Sequence, residues 1–318
     1  MTRYRNALPQ SGDRLFLTDG GLETTLIYHE GFDLPDFAAF VLLDDPAGER
    51  ALNDYYRAYI DVARRYGTGL ILESATWRAS PDWGRRQGYD GEALAALNRR
   101  AIALLESLRD DAAEGVDLVV SGCLGPRGDG YSPERLMSVA EARAYHRRQA
   151  EALTEAGADM LSAITLNYPD EATGIAQLAR ELDMPVALSF TVETDGRLPT
   201  GETLREAIER VDADSDAYPA YYMINCAHPS HFTAAFDDGE GGLARLKGLR
   251  ANASRKSHAE LDAATELDSG DPQALGADYA TLRARLPQFT ILGGCCGTDQ
   301  RHIASIAEAC SPVPRLAS

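Results

Sequence analysis

The stretch FTILGGCC, residues 289–296, decides the fold. It opens as a short apolar run and closes on two glycines and two adjacent cysteines. A short apolar run bounded by turn residues reads as a strand buried on both faces. Glycines at its end mark a backbone that turns tightly or admits a close neighbour. Seven earlier stretches have the same form: LFLTDG (15–20), GLILESA (69–75), DLVVSGC (117–123), DMLSAIT (159–165), PVALSFTV (185–192), AYYMINC (220–226) and LKGLRANA (246–253). Helical signals fall between them. Leu94, Leu97, Ala101, Leu104 and Leu108 recur at helical spacing. Ser138 and Glu141 have capping-box spacing, and Gly157 follows as a stop. Eight strands alternating with helices predict an α/β chain folded as one (β/α)8 TIM barrel domain over 1–318. A doubly wound open sheet has the same periodicity and is the alternative.

Composition narrows the function. A hydrophobic content of 44% in 318 residues supports a large core. A formal net charge of −18 disfavours nucleic acid and anionic membrane surfaces, both of which need clustered Lys and Arg. MTRYRNALPQ at the start lacks the apolar run of a signal peptide, and no later stretch reaches transmembrane length. A cytoplasmic chain with reduced thiols is expected, its oligomeric state open between monomer and homo-oligomer. The stretch SGCLGPRGDG (121–130) has the wrong spacing for a dinucleotide fingerprint or a P-loop. The longest irregular stretch, 254–273, is placed to cover a site.

The five cysteines carry the chemistry. Cys226 ends the sixth strand and Cys295 and Cys296 end the eighth, so a barrel brings them to the same C-terminal face, where active sites are built. Three sulfur ligands leave a tetrahedral Zn²⁺ one open position, as catalysis requires. A single cysteine of this kind reads equally as a small buried hydrophobe. Cys123 reads as barrel lining, Cys310 as a helix residue, and His228 as a loop residue before a helix start at HPS.

TDGGLETTL (18–26), INCAHP (224–229) and LGGCCGTD (292–299) together resemble the zinc-dependent homocysteine S-methyltransferase family, over residues 15 to about 306. The resemblance implies a (β/α)8 barrel and zinc on Cys226, Cys295 and Cys296. It implies a thiol acceptor, methylated as a thiolate by a sulfonium or quaternary ammonium donor, with no protein nucleophile. It also implies substrate contacts from Asp19, Gly20, Gly21 and Thr165, and from Thr76 and Trp77, whose ring could hold an onium group by cation–π contact. Asn225 is expected to orient the metal ligands or the substrate.

One position departs from the family. Strand four there commonly ends in Glu-Thr, the glutamate binding the amino group of homocysteine, whereas this chain has Ile164-Thr165. An ammonium buried without a carboxylate is costly. Glu73, a charge on an otherwise apolar strand, or Glu193 is the expected substitute; a thiol other than homocysteine is the alternative. A non-catalytic zinc or redox protein, with a Cys295–Cys296 disulfide, is the reading from another class.

Overall fold

The computed structural model describes residues 2–112, 115–133, 135–236 and 243–311, so the two ends of the expected 1–318 unit lie outside the described residues. Eight strands form the sheet: β1 (Phe16–Leu17), β2 (Gly69–Glu73), β3 (Leu118–Leu124), β4 (Met160–Leu166), β5 (Val186–Phe190), β6 (Tyr221–Asn225), β7 (Leu246–Ala251) and β8 (Ile291–Gly294). Every neighbouring pair is parallel, and β8 pairs β1 through Phe16–Ile291 and Leu17–Leu292, which closes the barrel. That last pairing separates the structure from the doubly wound alternative.

Helices fill the connections: α1 (Leu22–Tyr28), α2 (Pro46–Tyr66), α3 (Pro81–Arg86), α4 (Gly91–Asp111), α5 (Val139–Glu155), α6 (Pro169–Glu181), α7 (Leu204–Ser215), α8 (Pro229–Phe232), α9 (His258–Asp262), α10 (Pro272–Arg285) and α11 (Gln300–Cys310). Their ends follow local chemistry. Ser138 and Glu141 form the capping box of α5, and Gly157 lies just beyond it at φ 107°. Among the described residues, no helix is long and apolar enough to cross a membrane.

Alternation along the strands sorts the core into two layers. Leu70, Leu72, Leu161, Leu249 and Leu292 face outward and pack in one cluster with helix residues such as Tyr56 and Ile303. Phe16, Ile71, Met160, Tyr221 and Ile291 face inward and plug the lower barrel. Higher on the same inward faces stand Glu73, Ser162 and Arg250, all buried. The interior therefore passes from hydrocarbon to charge towards the strands' C-terminal ends, where enzymes of this fold build their sites.

The first and last strands are shorter than their sequence patterns. Thr18, Asp19 and Gly20 lie past β1, and both cysteines of the pair lie past β8. β6 stops at Asn225 because Cys226 turns into the left-handed region at φ 54°.

Candidate metal centre and substrate pocket

The chain ends of β6 and β8 bring three sulfurs together. The Sγ atoms of Cys226, Cys295 and Cys296 all lie within 4.8 Å of one another. In this structure Cys226 and Cys295 are joined as a disulfide across 69 residues, with their Cα atoms 5.3 Å apart. Three free thiols were expected from the sequence; two strand ends in bonding reach account for the difference. The adjacent cysteines 295 and 296 are not bonded to each other, and Cys296 is free. Cys123 and Cys310 are buried and stand apart from the cluster.

Asn225 holds the geometry at Cys226. Its Nδ2 donates to Cys226 Sγ at 3.2 Å and to Thr165 Oγ1 at 2.8 Å. Its Oδ1 accepts from the Thr165 amide at 2.8 Å and from Ser189 Oγ at 2.7 Å. Thr165 and Cys226, both at positive φ (64° and 54°), are thus tied to one side chain. Strained backbone of this kind persists only where its surroundings over-determine it. The Cys226 carbonyl accepts from Asn252 Nδ2 at 2.9 Å and lies 2.6 Å from His258 Nε2.

Glycines make room for the cysteine pair. A Cβ on Gly21 would stand 2.6 Å from the Cys295 carbonyl oxygen, and Gly297 adopts φ 78° to turn the chain after Cys296. Glycine is therefore required at 297, after the pair, and at 21, where the backbone approaches Cys295. Three soft sulfur donors on a shared face, one of them already hydrogen-bonded by an amide, suit a borderline-soft cation such as zinc.

The sulfurs open onto a cavity lined by Asp19, Gly20, Gly21, Glu23, Glu73, Trp77, Arg78, Ile164, Thr165 and Arg250, among others. Its floor is ionic. Arg250 Nη2 donates to Asp19 Oδ1 at 2.6 Å, its Nη1 is 3.8 Å from Glu73, and its Nε donates to the Gly294 carbonyl at 3.2 Å. Burial opposes the Arg250 charge, but Asp19 and Glu73 outweigh it and hold its pKa above the ordinary value. Burial pushes Glu73 upward, against Arg250 and a 2.5 Å hydrogen bond from Ser162.

Several residues stand elsewhere than the sequence suggests. Thr76 does not line the cavity; it is buried and donates to the Cys123 carbonyl at 2.7 Å. Trp77 lines it, but one ring face is covered by Arg78, whose guanidinium lies 4.0 Å from the ring centroid. A second cation on that face would meet a fixed positive charge. Glu193 is outside the cavity and pairs with His258 Nδ1 at 3.1 Å. His228 caps α8 through the Ser230 amide. The stretch 254–273 does reach the cavity wall, through residues between Ser254 and Asp268 that include Leu261 and Leu267.

Glu23, Arg78, Arg250, Asn252 and His258 escaped the sequence reading. Arg250 carried the signal that singled out Glu73, a charge within an apolar strand. The others lie on loops or helix starts, where polar residues are ordinary.

A closed (β/α)8 barrel with a three-cysteine cluster over a charged cavity defines an enzyme built for sulfur chemistry. The homocysteine S-methyltransferase profile matches residues 16–310. The chain is 29% identical to a homocysteine S-methyltransferase of Escherichia coli, over 92% of this chain and 94% of that one. It is 26% identical to a selenocysteine Se-methyltransferase of Brassica oleracea var. italica, over 67% of this chain and 65% of that protein. The crystal structure of the metallated form of the homocysteine methyltransferase MmuM from Escherichia coli superposes with a TM-score of 0.70, at 26% identity, covering 95% of this chain and 98% of that one. The protein belongs to the homocysteine S-methyltransferase family and is a methyltransferase.

Proposed function

We propose that this enzyme moves a methyl group from a sulfonium or quaternary ammonium donor to the thiol of homocysteine, giving methionine, with zinc held by Cys226, Cys295 and Cys296. The observation that carries the reading is the convergence of the three sulfurs within 4.8 Å on the cavity wall. The names of the relatives state homocysteine or selenocysteine as the acceptor, amino acids bearing a sulfur or selenium nucleophile, which supports an amino-acid acceptor here.

Zinc bound there would supply the Lewis acidity that keeps a thiol ionised at neutral pH. The chain does the rest. Asn225 aims the Cys226 sulfur through its 3.2 Å contact. Asn252 and His258 fix the Cys226 carbonyl, so the ligand's backbone has one orientation. Tyr131, its ring tilted against that of His258 at a centroid separation of 4.2 Å, forms part of the cavity wall. The acceptor sulfur attacks the methyl carbon in line. The new S–CH₃ bond takes the sulfur's electron pair, and the breaking bond leaves its pair on the donor, which departs neutral. The acceptor's thiol proton has gone to solvent beforehand. No side chain needs to form a covalent intermediate, so the protein's contribution is positioning.

The test is a methyl-transfer assay of reduced, zinc-loaded protein with homocysteine and a panel of sulfonium and quaternary ammonium donors. Methionine should form with at least one. A second reading, a redox-responsive barrel without catalysis, draws on the Cys226–Cys295 disulfide. It requires that no thiol be methylated by the reduced, metal-loaded protein.

A further inference from the structure

Ile164 leaves the strand-four end without a carboxylate, yet an amino-acid acceptor brings both an ammonium and a carboxylate into the cavity. Four lining carboxylates are already committed. Asp129 accepts from the amides of Tyr131 and Ser132, and Asp268 accepts from Ser254 Oγ at 2.8 Å. Asp19 accepts from Arg250 and from Tyr55 at 3.1 Å, and Glu73 accepts from Ser162 beside Arg250. Asp262 and Glu266 also reach the cavity, but from its exposed rim. Glu23 is different. It stands in the first turn of α1, partly buried, and forms no hydrogen bond or ion pair with any other described residue. Burial pushes its carboxyl up to about 7, with Asp19 adding to the rise and Arg250 and Arg78 opposing it.

Arg78 is its counterpart. It is 6% exposed and pairs with no carboxylate among the described residues. Its Nη1 donates to the Gly128 carbonyl at 2.7 Å, while its Nε has no partner. Two indoles lie against the guanidinium, the Trp77 ring centroid at 4.0 Å and that of Trp83 at 3.9 Å. A guanidinium buried without an anion is costly, and a buried N–H without an acceptor adds to that cost. Glu23 and Arg78 line the same cavity and form no ion pair with each other. Two opposite charges without ion-pair partners in one cavity match, in sign, the two charges of a zwitterion.

We propose that Glu23 and Arg78 form the clamp for the α-amino-acid headgroup of the acceptor, Glu23 taking the ammonium and Arg78 the carboxylate. The clamp rests on the amino-acid acceptor reading above and replaces the carboxylate that strand four lacks. It assigns specificity to two residues outside the metal cluster.

Calorimetric binding of methionine, its des-amino analogue 4-(methylthio)butanoate and its decarboxylated analogue 3-(methylthio)propylamine tests the clamp without needing metal or donor. The unaltered protein should bind methionine about 10- to 100-fold more tightly than either analogue, as charge-assisted hydrogen bonds imply. Glu23→Gln should erase the discrimination against the des-amino compound and keep the other; Arg78→Met should do the reverse. Should Arg78→Met fail to fold, Glu23→Gln alone decides. Discrimination that survives unchanged in Glu23→Gln, or is absent from the unaltered protein, overturns the clamp. In turnover, Glu23→Gln should raise the KM for homocysteine, and a rise confined to the donor's KM overturns the acceptor assignment. Methionine binding as expected with no thiol methylated sinks the proposed function and leaves the clamp. Equal methylation of homocysteine and its des-amino analogue does the opposite.

Discussion

Arg250 on β7 and Asp19 beyond β1 meet at 2.6 Å with both side chains buried, tying two parts of the sequence 231 residues apart at the cavity floor. Neither charge could be buried alone, since a lone ion in this environment loses its hydration without compensation. Arg250 also stands beside Glu73 and anchors the Gly294 carbonyl next to the cysteine pair. The ion cluster therefore supports the site's shape as well as its charge.

Removing the cation should be costly. Arg250→Met leaves Asp19 and Glu73 facing each other without compensation, and unfolding in urea should show a loss of about 3–5 kcal/mol. Adding Asp19→Asn should recover part of it. A loss below about 1 kcal/mol in the single variant would contradict the cluster's place in the fold.

Glu23 should make stability fall as pH rises. Its carboxyl is raised from 4.5 to about 7, chiefly by burial, so the folded state holds the proton more tightly than the unfolded one. Its contribution is full below pH 4.5 and is lost progressively up to about pH 7. The shift corresponds to about 3 kcal/mol, and partial exposure reduces this to about 1–2 kcal/mol. Glu23→Gln should therefore gain that much on the unaltered protein between pH 4 and pH 8, measured as the difference between two pH–stability curves. Parallel curves would show that the carboxyl is not desolvated.

Metal uptake should depend on reduction. Coordination uses deprotonated cysteines, and Cys226 and Cys295 cannot both ligate while joined to each other. Protein treated with a reductant and dialysed against zinc should retain about one ion per chain, the untreated disulfide form far less. Cys226→Ala, Cys295→Ala and Cys296→Ala should each lose the ion, whereas Cys123→Ala and Cys310→Ala should keep it, by elemental analysis. Full occupancy in Cys296→Ala would remove it from the ligand set.

Returning a carboxylate to strand four should substitute for Glu23. Ile164 lines the same cavity, and its carbonyl accepts from Trp77 Nε1 at 3.4 Å through the main chain, so the side chain can change without losing that bond. Ile164→Glu placed in the Glu23→Gln background should restore at least about tenfold of the preference for methionine over its des-amino analogue. No recovery in a folded double variant would show that the two positions do not reach the same ammonium.

The barrel was legible in the sequence because a parallel strand buried on both faces has to be apolar along its length, and eight such runs separated by helical periodicity leave few closed arrangements. FTILGGCC and AYYMINC also announced their cysteines, since a strand's C-terminal end points to the same face in every repeat of the fold. Thr76, Trp77 and Glu193 show where that logic stops. Thr76 turns behind the wall to Cys123, Trp77 gives one face to Arg78, and Glu193 is claimed by His258. Strand position tells which end a residue occupies, not which partner its side chain finds. Charge pairing was the part that only tertiary structure decided: Asp19 and Arg250 neutralise each other, while Glu23 and Arg78 stay unpaired in one cavity. Whether a carboxylate is spent on the fold or left for a ligand depends on the few ångströms to the nearest guanidinium, which chain connectivity does not specify.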